Sequence, residues 1–475
     1  MSPLALIACV ALTALDDPKP LNPAEVVVAL ETAMSDAIER VEPSIVAISR
    51  WKTGDGRTLA IRNNDRPGRI SNPILPQQFD LNDNAAVSFD YGSGVVVGPQ
   101  GEILTAYHVV RECARLVVQA PNLPPFDAEI LAADPRTDLA VIAPMRALVA
   151  EVGPKLKPLA IGKSETLRKG AFLIALGNPY NAARNDGRAS ASWGILANVT
   201  RQMNEPISDG IRQAPQYFRH FPTLLQLDAK LNLGMSGGAV ANLKGELVGL
   251  TTAAADAPGF DFQAGYAIPM DAIGRRAVAA LMEGREVEYA FIGLTINPQV
   301  PNQVAAVKPG TPADQAGLQE RDLIHMVGDV PVPVAKGGLN LALAMAPVGE
   351  RVKLLISREG KRRELEVMLS KYPVEGEVIA TNRPAPWRGL RVDFATMVSG
   401  STFSDEVLTA LARGGVGVVE VVSGSSADVA GIKRGQIITE VEGKRVKTPA
   451  EFRKAVEGGQ GPTRVKTEQG EVLVR

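Results

Sequence analysis

The chain has 475 residues, far more than one ordinary domain needs, so about three domains are expected. Hydrophobic residues make up 45% and charged residues 22%, a globular balance that excludes a mostly disordered chain. With 51 Lys and Arg against 52 Asp and Glu the net charge is −1, so no excess of positive charge is present to drive nucleic-acid binding.

Leu4 to Leu15 (LALIACVALTAL) is an apolar run of 12, ended by Asp16 and Asp17. A bilayer-spanning helix needs about 20 residues, whereas 12 suits the core of a signal peptide. The positive residues that usually precede such a core are missing, and Leu6-Ile7-Ala8-Cys9 also has the look of a lipoprotein cleavage box. Residues 1–22 are therefore read as an export segment, with cleavage, lipidation and retention as a membrane anchor all open. A periplasmic or otherwise exported location is expected. The cysteines are Cys9 and Cys113, and with Cys9 in a removable segment no structural disulfide is expected. His108, His220 and His325 are far apart, and no Cys/His cluster has zinc-ligand spacing. Neither a metal nor a cofactor is expected.

Val26, Val27, Leu30, Ala33, Met34, Ile38 and Val41 recur at intervals of three and four, which predicts an amphipathic helix over 23–42, stopped by Pro43. Ser44 to Arg50 reads as a strand, and the polar stretch 52–90 as a long surface loop. From Gly92 to about Ala254 short apolar runs such as DLAVIAP and FLIALG alternate with turns. Strands without long intervening helices predict a mainly β domain, a barrel pair or sandwich. Pro269 to Glu283 reads as the helix that closes it.

Residues 310–332 and 424–446 form an internal repeat offset by 114. Gly310/Gly424, Ala313/Ala427, Asp314/Asp428, Ala316/Ala430, Gly317/Gly431, Ile324/Ile438, Val327/Val441 and Val332/Val446 align without a gap. Each copy reads as a turn, a short helix ending at glycine, then two strands. Tyr372 to Pro386, with three prolines, reads as a linker. The second copy is longer and predicts an extra helix around Asp405 to Arg413.

Three residues stand out chemically. His108 follows a strand, in Thr105-Ala106-Tyr107-His108, where its ring can face a cleft. Asp138 opens the apolar strand Leu139-Ala140-Val141-Ile142, where a carboxylate can be half buried. Ser236 lies in Gly234-Met235-Ser236-Gly237-Gly238, whose glycines let the backbone turn tightly and leave N–H groups free to converge on one spot. Each alone is a weak signal, since a lone histidine or a turn aspartate is more often structural. Together, in the order His, Asp, Ser with spacings of 30 and 98, they match a chymotrypsin-type triad.

Gly92-Ser93-Gly94-Val95-Val96-Val97 through His108, Thr137-Asp138-Leu139-Ala140, Gly177-Asn178-Pro179, and Leu225 to Ala229 leading into Gly234 to Gly238 resemble the HtrA (Deg) family of trypsin-like serine proteases. Gly265 to Pro269 fits the end of that domain. The repeats resemble PDZ domains, and a protease with two of them is the DegP-like (Do-like) arrangement. The resemblance covers about residue 40 to the end. It implies a chymotrypsin-like double β-barrel over 23–288, a first PDZ domain (α+β) over 289–372, a linker over 373–386 and a second PDZ domain over 387–475. It implies that Ser236 is the nucleophile, His108 the general base and acid, and Asp138 the group orienting His108. The N–H groups of Gly234 and Ser236 would form the oxyanion hole. Met235 departs from the asparagine usual before the serine, and 202–221 is a longer insertion than the family leads one to expect.

PDZ domains bind a terminal carboxylate in an x-Φ-G-Φ loop. Phe291-Ile292-Gly293-Leu294 fits that loop in the first copy. Trp387-Arg388-Gly389-Leu390 holds the position in the second, with Arg388 in place of an apolar residue, so this copy either binds peptide or only packs against its neighbours. The implied function is a serine endopeptidase acting on unfolded or damaged proteins and regulated by PDZ binding of peptide C-termini, assembled as a homotrimer or a multiple of trimers. The competing reading is a catalytically silent holdase or scaffold with the same fold. Position 230, where trypsin-like enzymes of basic specificity carry an aspartate, is Lys230, with Leu231 and Leu233 nearby and Asp228 two positions off. Cleavage after small or medium aliphatic residues is expected, or after acidic ones if Lys230 reaches into the pocket.

Overall fold

The computed structural model describes residues 22–52, 60–62, 86–88, 90–184, 186–201, 224–255, 264–297, 299–332, 338–374, 378–398, 414–459 and 461–475. The apolar run at 4–15, the insertion at 202–221 and the extra helix expected at 405–413 lie outside the described residues. So does most of the polar stretch 52–90, although Ala60–Arg62 and Ala86–Ser88 within it pair as antiparallel strands.

Helix α1 spans Pro23–Val41. Asn22 starts it: its side chain accepts from Ala24 N–H at 3.1 Å, and Glu25 reaches back to Asn22 N–H at 3.3 Å. Pro23 suits the first turn, where no intrahelical donor is needed. Ala37 and Val41 are buried at the far end, while Val26, Val27 and Val28 are exposed.

Two barrels follow. The first contains β1 (Ile45–Lys52), β2 (Asp90–Val96), β3 (Ile103–Ala106), β4 (Cys113–Gln119), β5 (Phe126–Asp134) and β6 (Leu139–Pro144), and a short helix, α2 (Tyr107–Val110), follows β3. Their order is β5-β4-β1-β2-β3-β6, closed by pairing of β5 with β6. The second contains β7 (Phe172–Gly177), β8 (Ser190–Arg201), β9 (Leu224–Leu227), β10 (Ala239–Ala241), β11 (Leu247–Ala255) and β12 (Ala264–Pro269). It closes in the order β8-β9-β12-β11-β10-β7.

The period-two geometry of a strand explains the unbroken apolar runs. On β6, Ala140 and Ile142 fill the first barrel, while Leu139 and Val141 face outward into a core shared with the second barrel. On β7, Leu173 and Ala175 fill the second barrel, and Ile174 and Leu176 join the shared core. Both faces are buried, so no polar alternation is left to read. Helix α3 (Ala272–Met282) closes the shared core with Ile273, Ala277, Val278 and Leu281. It starts later than the sequence suggests. Pro269 ends β12, and Asp271 caps the helix by accepting from Gly274 N–H at 2.9 Å.

The two repeat copies have one topology. The first sheet runs Leu294–Asn297, Val300–Val307, Leu323–Val327, Arg351–Arg358, Lys361–Met368 in spatial order. The second runs Leu390–Phe394, Val416–Val421, Ile437–Val441, Thr463–Thr467, Gly470–Val474. The aligned pairs Ala313/Ala427, Ile324/Ile438, Val327/Val441 and Val332/Val446 are all buried. Asp314 and Asp428 make the same turn, each accepting from the N–H of the aligned glycine, Gly310 or Gly424, at 2.8 Å.

The segment between the copies is more than a spacer. Ile379–Ala380 forms a strand that pairs antiparallel with Ala132–Ala133 of β5, and Ile379 packs against the core of the first barrel. Thr381 N–H donates to the Leu131 carbonyl and Asn382 N–H to that of Gly284. Nearby, Lys371 is 1% exposed. Its ammonium lies 2.7 Å from Asp393, 2.9 Å from Glu286 and 3.4 Å from Glu288, joining the second copy to the end of the protease segment. Burial works against this charge, but the three carboxylates hold its pKa above the ordinary lysine range. A raised folded pKa means that the stabilisation is complete below the unfolded value and lost only as pH rises through the folded one. Lys371→Met, which removes the cation from Asp393 and leaves Glu286 only Arg136, is expected to cost about 3–5 kcal/mol. A lower midpoint in chemical denaturation checks this; an unchanged midpoint would contradict it.

Candidate active site

His108 sits in α2, directly after β3. Arg50 of β1 fixes the main chain there, its Nη1 donating to the carbonyls of His108 at 3.0 Å and Arg111 at 2.9 Å. Asp138 ends the turn from β5 to β6 with φ of 54°, a left-handed conformation uncommon for residues other than glycine. Inside that turn the buried Asp134 accepts from Arg136 Nε at 2.8 Å and from Thr137 Oγ1 at 3.0 Å.

The structure brings His108 and Asp138 together twice over. Tyr107 N–H donates to the Asp138 carbonyl and His108 N–H to Oδ1, both at 2.9 Å. His108 Nδ1 lies 2.8 Å from Oδ2 and 3.0 Å from Oδ1. An ionised carboxylate only accepts, so the imidazole proton belongs on Nδ1 and Nε2 is left basic. Thr252, on β11 of the other barrel, donates to Asp138 Oδ2 at 2.9 Å. The carboxylate is 2% exposed and the imidazole 32% exposed, so one is shielded while the other still meets the cleft.

Ser236 belongs to the loop between β9 and β10. Its carbonyl accepts from Ser93 N–H at 2.8 Å. The next residue, Gly237, lies against Ser93 O, Thr105 Oγ1 and Ala106 N of the first barrel, where a Cβ would come within 2.3, 2.4 and 3.0 Å. The loop therefore packs against Ala106, two positions before His108 in the chain, although no hydrogen bond joins the Ser236 hydroxyl to the His108 ring among the described residues. Met235, Gly237 and Gly238 spend their N–H groups on Asn232 O, Thr251 O and Met235 O. The N–H groups of Gly234 and Ser236 meet no acceptor among the described residues. Gly234 has φ of 94°, and a Cβ there would lie 2.4 Å from Asn178 O. Its carbonyl accepts from the buried Ser93 hydroxyl at 2.7 Å, and that hydroxyl accepts from Asn178 N–H at 2.7 Å. Met235 turns inward, buried in the second barrel, and its sulfur accepts from Asn232 N–H at 3.4 Å. A methionine thus fits where the family pattern has asparagine.

The residues near the expected specificity pocket are dispersed. Leu231 is buried beside Gly265, Leu233 is 72% exposed, and the Lys230 side chain is exposed. Leu233 therefore does not join Leu231 as a buried apolar wall. Asp228 is occupied, accepting from Ile195 N–H at 2.5 Å.

The two x-Φ-G-Φ loops differ. In the first, Phe291 and Ile292 are buried, Ile292 O accepts from Ala313 N–H, and Gly293 O accepts from Lys308 N–H. Leu294 then begins a strand at the edge of its sheet. In the second, Arg388 and Gly389 both have positive φ, and Trp387 and Leu390 exchange N–H···O bonds at 2.9 and 2.8 Å. That closes the loop into a tight hairpin. The Arg388 guanidinium donates to Val474 O, Gly459 O and Gly461 O and lies 4.9 Å above the Trp387 ring.

Among the described residues no cluster of three or more His, Cys, Asp or Glu could hold a metal ion. Thr252, Ser93 and Arg50 escape sequence reasoning because each is an ordinary strand residue whose partner is distant in the chain. Ser93 alone lies inside a recognisable motif. A hydrogen bond to a charged group contributes about 1.5–3 kcal/mol, and about 1.4 kcal/mol is tenfold in rate. Thr252→Val is therefore expected to lower kcat/KM about 10- to 100-fold in a folded enzyme, with Thr252→Ser near wild type. Full activity of Thr252→Val in peptide hydrolysis would contradict this.

The profile of the trypsin-like peptidase domain matches residues 92–250, and that of the PDZ domain matches twice, at 303–358 and 417–468. A probable periplasmic serine endoprotease, DegP-like, of Chlamydia trachomatis serovar D is 29% identical over 384 residues, 78% of this chain and 70% of that protein. The periplasmic pH-dependent serine endoprotease DegQ of Escherichia coli K12 is 28% identical over 403 residues, 80% of each chain. Among solved structures, the HtrA-type protease AlgW with tripeptide shares the fold. Its TM-score is 0.52 at 20% identity, over 74% of this chain and 98% of that one. The chain thus has a trypsin-like peptidase domain followed by two PDZ domains and is similar to the DegP-like and DegQ serine endoproteases.

Proposed function

We propose that the protein is an exported serine endopeptidase that hydrolyses peptide bonds of unfolded or damaged proteins. Ser236 Oγ attacks the scissile carbonyl, and His108 Nε2 takes its proton and returns it to the leaving amine. Asp138 holds the imidazole in the required tautomer and stabilises the imidazolium. The N–H groups of Gly234 and Ser236 receive the oxyanion. Water then repeats the sequence on the acyl-enzyme. The observation that carries this reading is the buried Asp138 carboxylate, which accepts from His108 of one barrel and Thr252 of the other.

Unfolded chains suit the design because both a protease cleft and a PDZ groove bind extended backbone. Both copies offer an edge strand, Leu294–Asn297 and Leu390–Phe394, and the apolar Phe291-Ile292-Gly293-Leu294 loop favours the first PDZ domain as the reader of peptide C-termini. In the second, the Leu390 N–H is already spent on Trp387, so a docking role fits better than carboxylate capture. The periplasmic names of the relatives and the apolar run at 4–15 support export. Among the described residues no helix is long and apolar enough to cross a membrane. A homotrimer, implied by the family resemblance, is consistent with the exposed valines of α1.

The exposed Lys230, the occupied Asp228 and the buried Leu231 favour cleavage after Val, Ala, Ile or Leu, since a pocket without a free carboxylate cannot repay desolvation of Arg or Lys. Casein digestion with wild type and Ser236→Ala tests the activity. Wild type is expected to produce fragments and Ser236→Ala to leave casein intact; equal digestion by both would remove Ser236 from the mechanism. Mass spectrometry of the fragments tests the specificity. Cuts mainly after Arg or Lys would exclude the aliphatic pocket, and cuts after Glu or Asp would point to Lys230.

A further inference from the structure

Arg136 lies two residues before Asp138 and is buried, 6% exposed. Its guanidinium touches three separate parts of the chain. Nε donates to Asp134 Oδ1 at 2.8 Å, within the same turn. Nη2 donates to the Val287 carbonyl, in the segment leading from α3 into the first PDZ domain. Nη1 reaches the Tyr372 carbonyl at 3.4 Å, in the segment leaving that domain. Glu286 Oε1 lies 3.6 Å from Nη2, and the ring of the buried Tyr289 lies 5.0 Å from the guanidinium carbon. Glu286 also holds Lys371, which holds Asp393 of the second PDZ domain.

A buried cation is tolerated only when its donors are used and its charge is matched. Here the planar fork divides its donors between the catalytic turn and both chain crossings of the first PDZ domain, which an ammonium on a flexible stem cannot reproduce. The turn it anchors carries a conformation that needs outside support, because Asp138 has φ of 54°.

We propose that Arg136 is a positioning residue for Asp138. It fixes the 134–138 turn so that the carboxylate meets His108 and Thr252, and it does so through carbonyls supplied by the incoming and outgoing segments of the first PDZ domain. The bland alternative is that Arg136 only fastens that domain to the barrel. The inference rests on the triad proposed above, and the test separates the two: proteolysis by Ser236→Ala would sink the triad itself, whereas an active triad indifferent to Arg136 would sink only this proposal.

The test is a double-mutant cycle in the full-length chain. Arg136→Lys is made alone and with Asp138→Asn, and kcat and KM are measured on a fluorogenic peptide from a casein site that wild type cleaves. Misplacement by about 1 Å can cost about 100-fold in rate. Arg136→Lys is therefore expected to lower kcat at least about tenfold with KM within about twofold. With Asp138→Asn present, where there is no correctly paired carboxylate left to position, Arg136→Lys should cost less than about twofold more. Arg136→Met is carried in parallel, with near-ultraviolet circular dichroism to select a folded variant. Wild-type kcat in a folded variant, a loss of the same factor in both backgrounds, or a change confined to KM would each overturn the proposal.

Discussion

The structure around the cleft depends on one costly object, the buried carboxylate of Asp138. Taking an ionised carboxylate out of water is unfavourable unless hydrogen-bond donors replace the solvent. No single barrel supplies them here. Two come from His108 at the end of β3 and one from Thr252 of β11. The arrangement therefore exists only where the barrels meet, and the shared core that presses them together is also what brings Thr252 to Asp138. Ser93 makes the same connection for the serine loop, with its N–H on Ser236 O and its hydroxyl on Gly234 O.

This dependence explains which parts of the molecule were legible in the sequence. His108, Asp138 and the glycine-rich serine loop could be read because their local settings are distinctive: a strand end, a turn before an apolar strand, and glycines that leave N–H groups free. Thr252 could not. It is a strand threonine among others, and only closure of the second barrel against the first turns it toward Asp138. The stretch before Ser236 could not be read residue by residue. Leu231 is buried, but neighbouring Leu233 is exposed, because a loop does not keep strand alternation.

The fold was legible in its kinds of element more than in its joins. The aligned repeat led to two sheets of one order, with Ala313/Ala427 and Ile324/Ile438 at equivalent buried positions. The segment between the copies reads as a linker because proline and polar residues dominate it. Yet Ile379–Ala380 adds a strand to β5 and packs Ile379 against the first-barrel core, a pairing that two residues in a proline-rich stretch are too short to signal. The closed hairpin at Trp387–Leu390 is similar. Arg388 signalled a departure from the apolar loop, but the carbonyls that hold it belong to the far end of the domain.

The most direct measurement is covalent labelling of the active serine. A fluorophosphonate is attacked by an activated Ser Oγ, with loss of fluoride, only where a base and an oxyanion hole stand beside it. Peptide mapping by mass spectrometry after such labelling should find one adduct, on Ser236, and none when His108→Ala is treated in the same way. An adduct on another serine, or equal labelling of Ser236 in His108→Ala, would contradict a Ser236–His108–Asp138 mechanism.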